Sequence, residues 1–125
     1  MNADYSEAYR YFDNARENLL KAGIDTETKV YIDDKHVKTA CGIAYNGVLK
    51  ALDIYFSTKD VPKLRGRKSI EYYEHNLAKI NKKHLKMFDE IYKILHLYGY
   101  YDGITNIKVI KAGMDLAKDL VKNLK

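Results

Sequence analysis

A single proline, Pro62, in 125 residues, together with apolar residues that recur every three to four positions, leaves this chain little to fold into except helices. Proline removes a backbone donor and breaks helices, so its scarcity permits long ones. The spacing predicts an all-α domain over residues 1–125: an antiparallel bundle of four or five helices running up and down. Apolar residues make up 46% of the chain and charged residues 31%, enough of each to close a core and keep a polar surface. The composition argues against disorder.

A first helix is expected from Asp4, with Glu7 as its capping-box partner and Ala8, Phe12, Ala15, Leu19 and Ala22 on the buried line. Gly23 suits the turn that ends it. Residues 24–32 are β-prone but short and show no partner strand, so an ordered connection is expected. Asp33 or Asp34 caps a second helix reaching about Phe56, with Val37, Cys41, Ala44, Val48, Leu52 and Tyr55 inward. Beside that line run the small residues Ala40, Ala44, Gly47 and Ala51. Small side chains admit a neighbouring backbone, so this helix is expected at the centre.

Residues 57–66 form the longest break, and a third helix opens near Arg67 or Ser69. Its apolar line can continue through residues 81–83 to Leu95, but one straight helix over 67–98 would be about 48 Å long. That overshoots the first two helices, so a break or kink is expected at Asn81. Gly99 is expected to close the helix and residues 100–103 to form a turn. A last helix from about Thr105 buries Ile110, Gly113, Met114, Ala117, Leu120, Val121 and Leu124, and its Ala112 and Gly113 suggest close contact with the second helix.

Charge is unevenly placed. Residues 1–58 hold seven basic and nine acidic side chains, whereas residues 59–125 hold fifteen and eight. Nine basic residues crowd into 59–86 against Asp60, Glu71 and Glu74. Such asymmetry suits a nucleic acid or other polyanion, and equally a solvated basic face. Lys63, Arg65, Gly66, Arg67, Lys68 and Ser69 place cations and a hydroxyl at a helix start, where unpaired N–H groups attract anions. The glycine frame of a P-loop is missing. A second candidate is the aromatic stretch His96, Tyr98, Tyr100 and Tyr101, whose rings could stack on bases or plug the end of the bundle. A break at Asn81 would let both candidates share one end of the bundle; a straight helix would separate them.

The remaining chemistry is sparse. His36, His75, His84 and His96 do not pair at helical metal-ligand spacing, and Glu71 with His75 is one pair only, so no metal and no cofactor is expected. Cys41 falls on an apolar line, which predicts a packed, inert thiol. No nucleophile–base order and no paired carboxylates emerge, so no catalytic residue is assigned. The acidic N-terminus lacks a signal peptide's apolar centre and no apolar run is long enough for a bilayer, so a cytoplasmic, non-membrane protein is expected.

The segment His36-Val37-Lys38-Thr39-Ala40-Cys41-Gly42-Ile43-Ala44-Tyr45, continuing into Val48-Leu49-Lys50-Ala51-Leu52, resembles the central helix of HEPN-type bundles. The first and last helices are similar to theirs in pattern. The whole chain also resembles a small bacterial family of proteins of unknown function that share two motifs. These are Arg67-Lys68-Ser69-Ile70 followed by Tyr73, and Leu95-His96 leading to Tyr100-Tyr101-Asp102-Gly103. HEPN resemblance implies RNA cleavage or nucleotide binding, and in non-catalytic members a homodimer. The ribonuclease members carry a closely spaced arginine-then-histidine motif, whereas here Arg67 and His75 have seven residues between them. The leading expectation is therefore a non-catalytic binding module that meets a polyanion through Lys63, Arg65, Arg67, Lys68, Ser69, Tyr73, His96, Tyr100 and Tyr101. The alternatives are a degenerate HEPN-type ribonuclease or nucleotide-binding protein, and a structural, antitoxin-like protein partner.

Overall fold

A computed structural model describes residues 3–125 as an all-α bundle. Helix α1 spans Ser6–Ala22, α2 Asp34–Thr58, α3 Ile70–Ile80, α4 Lys82–Ile91 and α5 Ile107–Leu124. Helix α4 continues directly into a π-helical segment, Tyr92–Tyr101. Between α1 and α2 lie two short strands, β1 (Ile24–Asp25) and β2 (Val30–Tyr31).

The expected ordered connection is thus a small antiparallel hairpin paired with itself, Ile24 opposite Tyr31 and Asp25 opposite Val30. Asp25 Oδ1 accepts the N–H groups of Glu27 and Thr28 and so closes the turn. A further partner comes from far along the chain: Tyr31 N–H donates to the Thr105 carbonyl at 2.8 Å and Ile107 N–H to that of Lys29 at 3.2 Å. The hairpin thereby straps the bundle to the start of α5.

Helix α2 is central, as its small residues predict. Ala40, Ala44, Gly47 and Ala51 are all buried, and a Cβ on Gly47 would lie 2.8 Å from Tyr11 Cβ on α1. Leu52, Leu77, Phe88, Ile91, Leu95, Ile110 and Leu120 are completely buried, each contributing about 1.5–3 kcal/mol. Helix α1 starts two residues later than expected. Asp4 Oδ1 accepts from Ser6 N–H at 2.9 Å, and Glu7 leans toward Lys50 of α2 at 4.0 Å instead of closing a capping box.

Helices α3 and α4 are separated at Asn81. Its backbone is extended (φ −161°), its N–H donates to the Leu77 carbonyl, and its side chain accepts the His84 N–H at 3.1 Å. One residue ends a helix and caps the next, because asparagine's short amide competes well for unpaired backbone groups. His84 follows it into the core, edge-on to Tyr55 with ring centroids 5.5 Å apart. Among the described residues its Nδ1 has no hydrogen-bond partner, and burial holds its pKa below the ordinary value.

Two expectations about glycines change. Gly99 does not end its helix. It lies inside the π-helical segment, where a Cβ would come 2.3 Å from Cys41 Sγ, so it is the point at which that segment meets α2. Tyr100 and Tyr101 are still helical, and the chain turns at Asp102 and Gly103 instead. A Cβ on Gly113 would lie 2.5 Å from Ile94 Cγ2, so this glycine admits the π-helical segment, and Ala112 is exposed. Helix α5 thus packs against the π-helical segment as well as against α2.

Candidate functional site

The break at Asn81 folds α3 back beside α4, and this brings the start of α3 next to the π-helical segment. A cleft of about 600 Å³ opens between them and α2. Its lining includes Arg67, Lys68, Ser69 and Tyr73 from the start of α3 and His96, Tyr100 and Tyr101 from the π-helical segment. Seven of the nine residues singled out from the sequence therefore face one space. Lys63 instead lines a neighbouring recess with Glu7, Lys50 and Asp53, and Arg65 is exposed on the loop outside the cleft lining.

The basic wall is built by the loop and the helix start. Gly66 adopts φ +84°, a left-handed conformation that a side chain would resist. Ser69 caps α3 by accepting the Tyr72 N–H at 3.3 Å. Lys68 turns inward to Asp53 of α2, Nζ to Oδ1 at 3.3 Å, and the hydroxyl of buried Tyr73 donates to that same oxygen at 3.0 Å. Burial, and then the Asp53 charge, raise the Tyr73 pKa, so its hydroxyl stays protonated and remains a donor. Asp53 thus fastens the loop to α2 and offsets the Lys68 charge. Arg67, by contrast, is exposed and without an ion pair among the described residues.

The opposite wall is aromatic. His96 stacks on Tyr45 (centroids 4.7 Å apart, planes 29° apart), on Tyr92 (5.1 Å, 29°) and on Tyr100 (5.8 Å, 10°). Tyr101 meets it edge-on at 4.9 Å. Gly42 of α2 makes room for Tyr100, whose ring would lie 2.9 Å from any Cβ there. Tyr100 and Tyr101 are 46% and 62% exposed, so they form a rim of the cleft and do not plug the bundle. Burial holds the His96 pKa below its ordinary value of 6.5, which makes it a neutral imidazole at pH 7. Tyr45, Tyr92, Gly42 and Asn46 were not among the sequence candidates. The spacing of four through Tyr92, His96 and Tyr100 is the signal that marks the row.

Cys41 is completely buried, and burial pushes its thiol up to about 12, so it is unreactive at neutral pH. Among the described residues no cluster of three or more His, Cys, Asp or Glu side chains is placed to hold a metal ion. Among the described residues no helix is long and apolar enough to cross a membrane.

Residues 3–125 match the model of a domain of unknown function, DUF5618. The chain belongs to that family. No curated protein matches it. A solved structure of a protein of unknown function from Dyadobacter fermentans is similar, with 40% sequence identity and a TM-score of 0.86 over 96% of this chain and 92% of that one. The DUF5618 bundle is therefore shared with a bacterial relative along nearly its whole length.

Proposed function

We propose that this DUF5618 protein is a non-catalytic binding module whose cleft between α2, α3 and the π-helical segment takes a single-stranded nucleic acid. The observation that carries the reading is the convergence of Arg67 and the Ser69-capped helix start with the Tyr45–His96–Tyr100 stack around one space of about 600 Å³. That volume falls in the usual range of ligand sites. A phosphate suits the guanidinium and the N-terminal end of α3, and an unpaired base suits the open faces of Tyr100 and Tyr101, worth about 1–3 kcal/mol per stacked base. Fluorescence anisotropy with short labelled RNA and DNA over a salt series tests this. Binding that weakens as salt rises supports it; no binding at low salt, or binding indifferent to salt, contradicts it.

A second reading is a degenerate HEPN-type ribonuclease or nucleotide-binding protein. It draws on the likeness of α2 to the HEPN central helix and on the presence of Arg67 and a neutral His96 in one cleft, although His75 lies outside the cleft lining. A neutral imidazole can accept a proton from a ribose hydroxyl, and an arginine can offset charge on the phosphate. Labelled RNA incubated with the wild type and with Arg67→Ala separates the two readings. Cleavage that is lost in the variant favours the enzyme; intact RNA favours the binding module.

A further inference from the structure

A second cleft lies between α1 and α5, away from the aromatic one. Both helices rest on α2 but make little contact with each other, which leaves a space of about 650 Å³. Buried Phe12 and Tyr31, with Leu19 and Met114, form its floor. Leu20 is 73% exposed and Ile24 51% exposed at its open end, and the apolar surface continues past Gly23 to Ile32, 69% exposed. Arg16, Lys111 and Lys118 stand on the rim beside one carboxylate, Asp115, and none of the three cations has an ion pair among the described residues.

We propose that this cleft is a docking groove for an acidic amphipathic helix of a partner protein. Along α1 the groove runs from Phe12 to Gly23, roughly 16 Å, which fits two to three helical turns carrying anchors at every third or fourth residue. A small molecule held in the cleft would leave Ile32 uncovered, whereas a helix lying along it extends over Leu20, Ile24 and Ile32. The unpaired rim cations select an acidic partner. Two copies of this chain meeting through the groove would set the same cations against one another.

A fluorescein-labelled synthetic peptide of leucine, alanine and glutamate in amphipathic order, titrated with the full chain, tests the groove beside a control peptide with lysine for glutamate. The expected result is salt-sensitive binding of the glutamate peptide alone. Leu20→Glu combined with Ile32→Glu, both at exposed positions, weakens it by about tenfold or more. Arg16→Glu combined with Lys118→Glu moves the preference to the lysine peptide. Circular dichroism confirms that each variant is folded. No binding of either peptide, equal binding of both, or binding unchanged in the variants overturns the proposal. So does a dimer in sedimentation equilibrium that Leu20→Glu dissolves.

Discussion

The two sides of the π-helical segment carry rows of the same spacing with opposite fates. Leu95 and Gly99, continuing the line of Ile91 at the end of α4, are buried and close against Gly113 and Cys41. One position along, Tyr92, His96 and Tyr100 form a stacked row facing the open cleft. The inner row is dry and fitted to within a methyl group, so its side chains determine stability. The outer row is held from behind by that fit, and Tyr100, at its outer end, keeps an accessible face. A π-helical stretch is wider than an α-helix and often marks a functional site. Here it gives the tyrosines a rigid support.

The largest expected effect comes from breaking the inner row. Gly99→Ala forces a methyl group against Cys41 and is expected to cost about 2–3 kcal/mol in urea denaturation. The outer row should answer in binding. Tyr100→Ala removes an exposed stacking face, which predicts about 1–2 kcal/mol of lost oligonucleotide affinity by anisotropy. Its stability should fall by less than that of Gly99→Ala, by about 0.5–1.5 kcal/mol for the lost contacts with His96 and Tyr101. Arg67→Ala should weaken all sequences alike and reduce the salt dependence by about one counterion.

The smallest effect concerns pH. Glu74 of α3 faces Asp89 of α4, and the hydrogen bond between their carboxyls, followed by burial and the Asp89 charge, raises the Glu74 pKa to about 7. Above that pH both carboxylates are charged and repel. As the pH falls from there toward the ordinary value of 4.5, the folded chain takes up a proton that the unfolded chain does not, so stability is gained. Buried His84 and half-buried His96 act in the opposite sense. Their pKa values lie below 6.5, so as the pH drops through that region the unfolded chain takes up protons first and stability is lost. Glu74→Gln should stabilise the protein at pH 8 by about 0.5–1 kcal/mol, since solvent screens much of the repulsion, and the gain should fade near pH 5. Thermal melts across that range check the sign.

Much of the fold was legible because helical periodicity reports burial directly. The central helix and its small-residue stripe follow from side-chain size, and the break at Asn81 from the length that one straight helix would need. The hairpin was not legible as a paired element, since its two strands are only two residues long and pair within the one short segment. The role of Gly99 was misread for a different reason. A glycine after an apolar row looks the same whether it ends a helix or admits a neighbour, and only the position of Cys41 distinguishes the two. At the candidate site, residue types named Arg67, Ser69 and His96, while Tyr45 and Tyr92 were not singled out. The role of Asp53 in tying down Lys68 depends on a contact across the fold that no local pattern encodes.

Chemical-shift mapping of the 15N-labelled protein during titration with a short single-stranded oligonucleotide tests the central claim most directly. The account predicts that the backbone signals of Gly42, Gly66, Ser69, His96 and Tyr100 move together, while those around Arg16, Lys111 and Lys118 stay still. Shifts confined to the groove between α1 and α5, or no shifts at all, would contradict it.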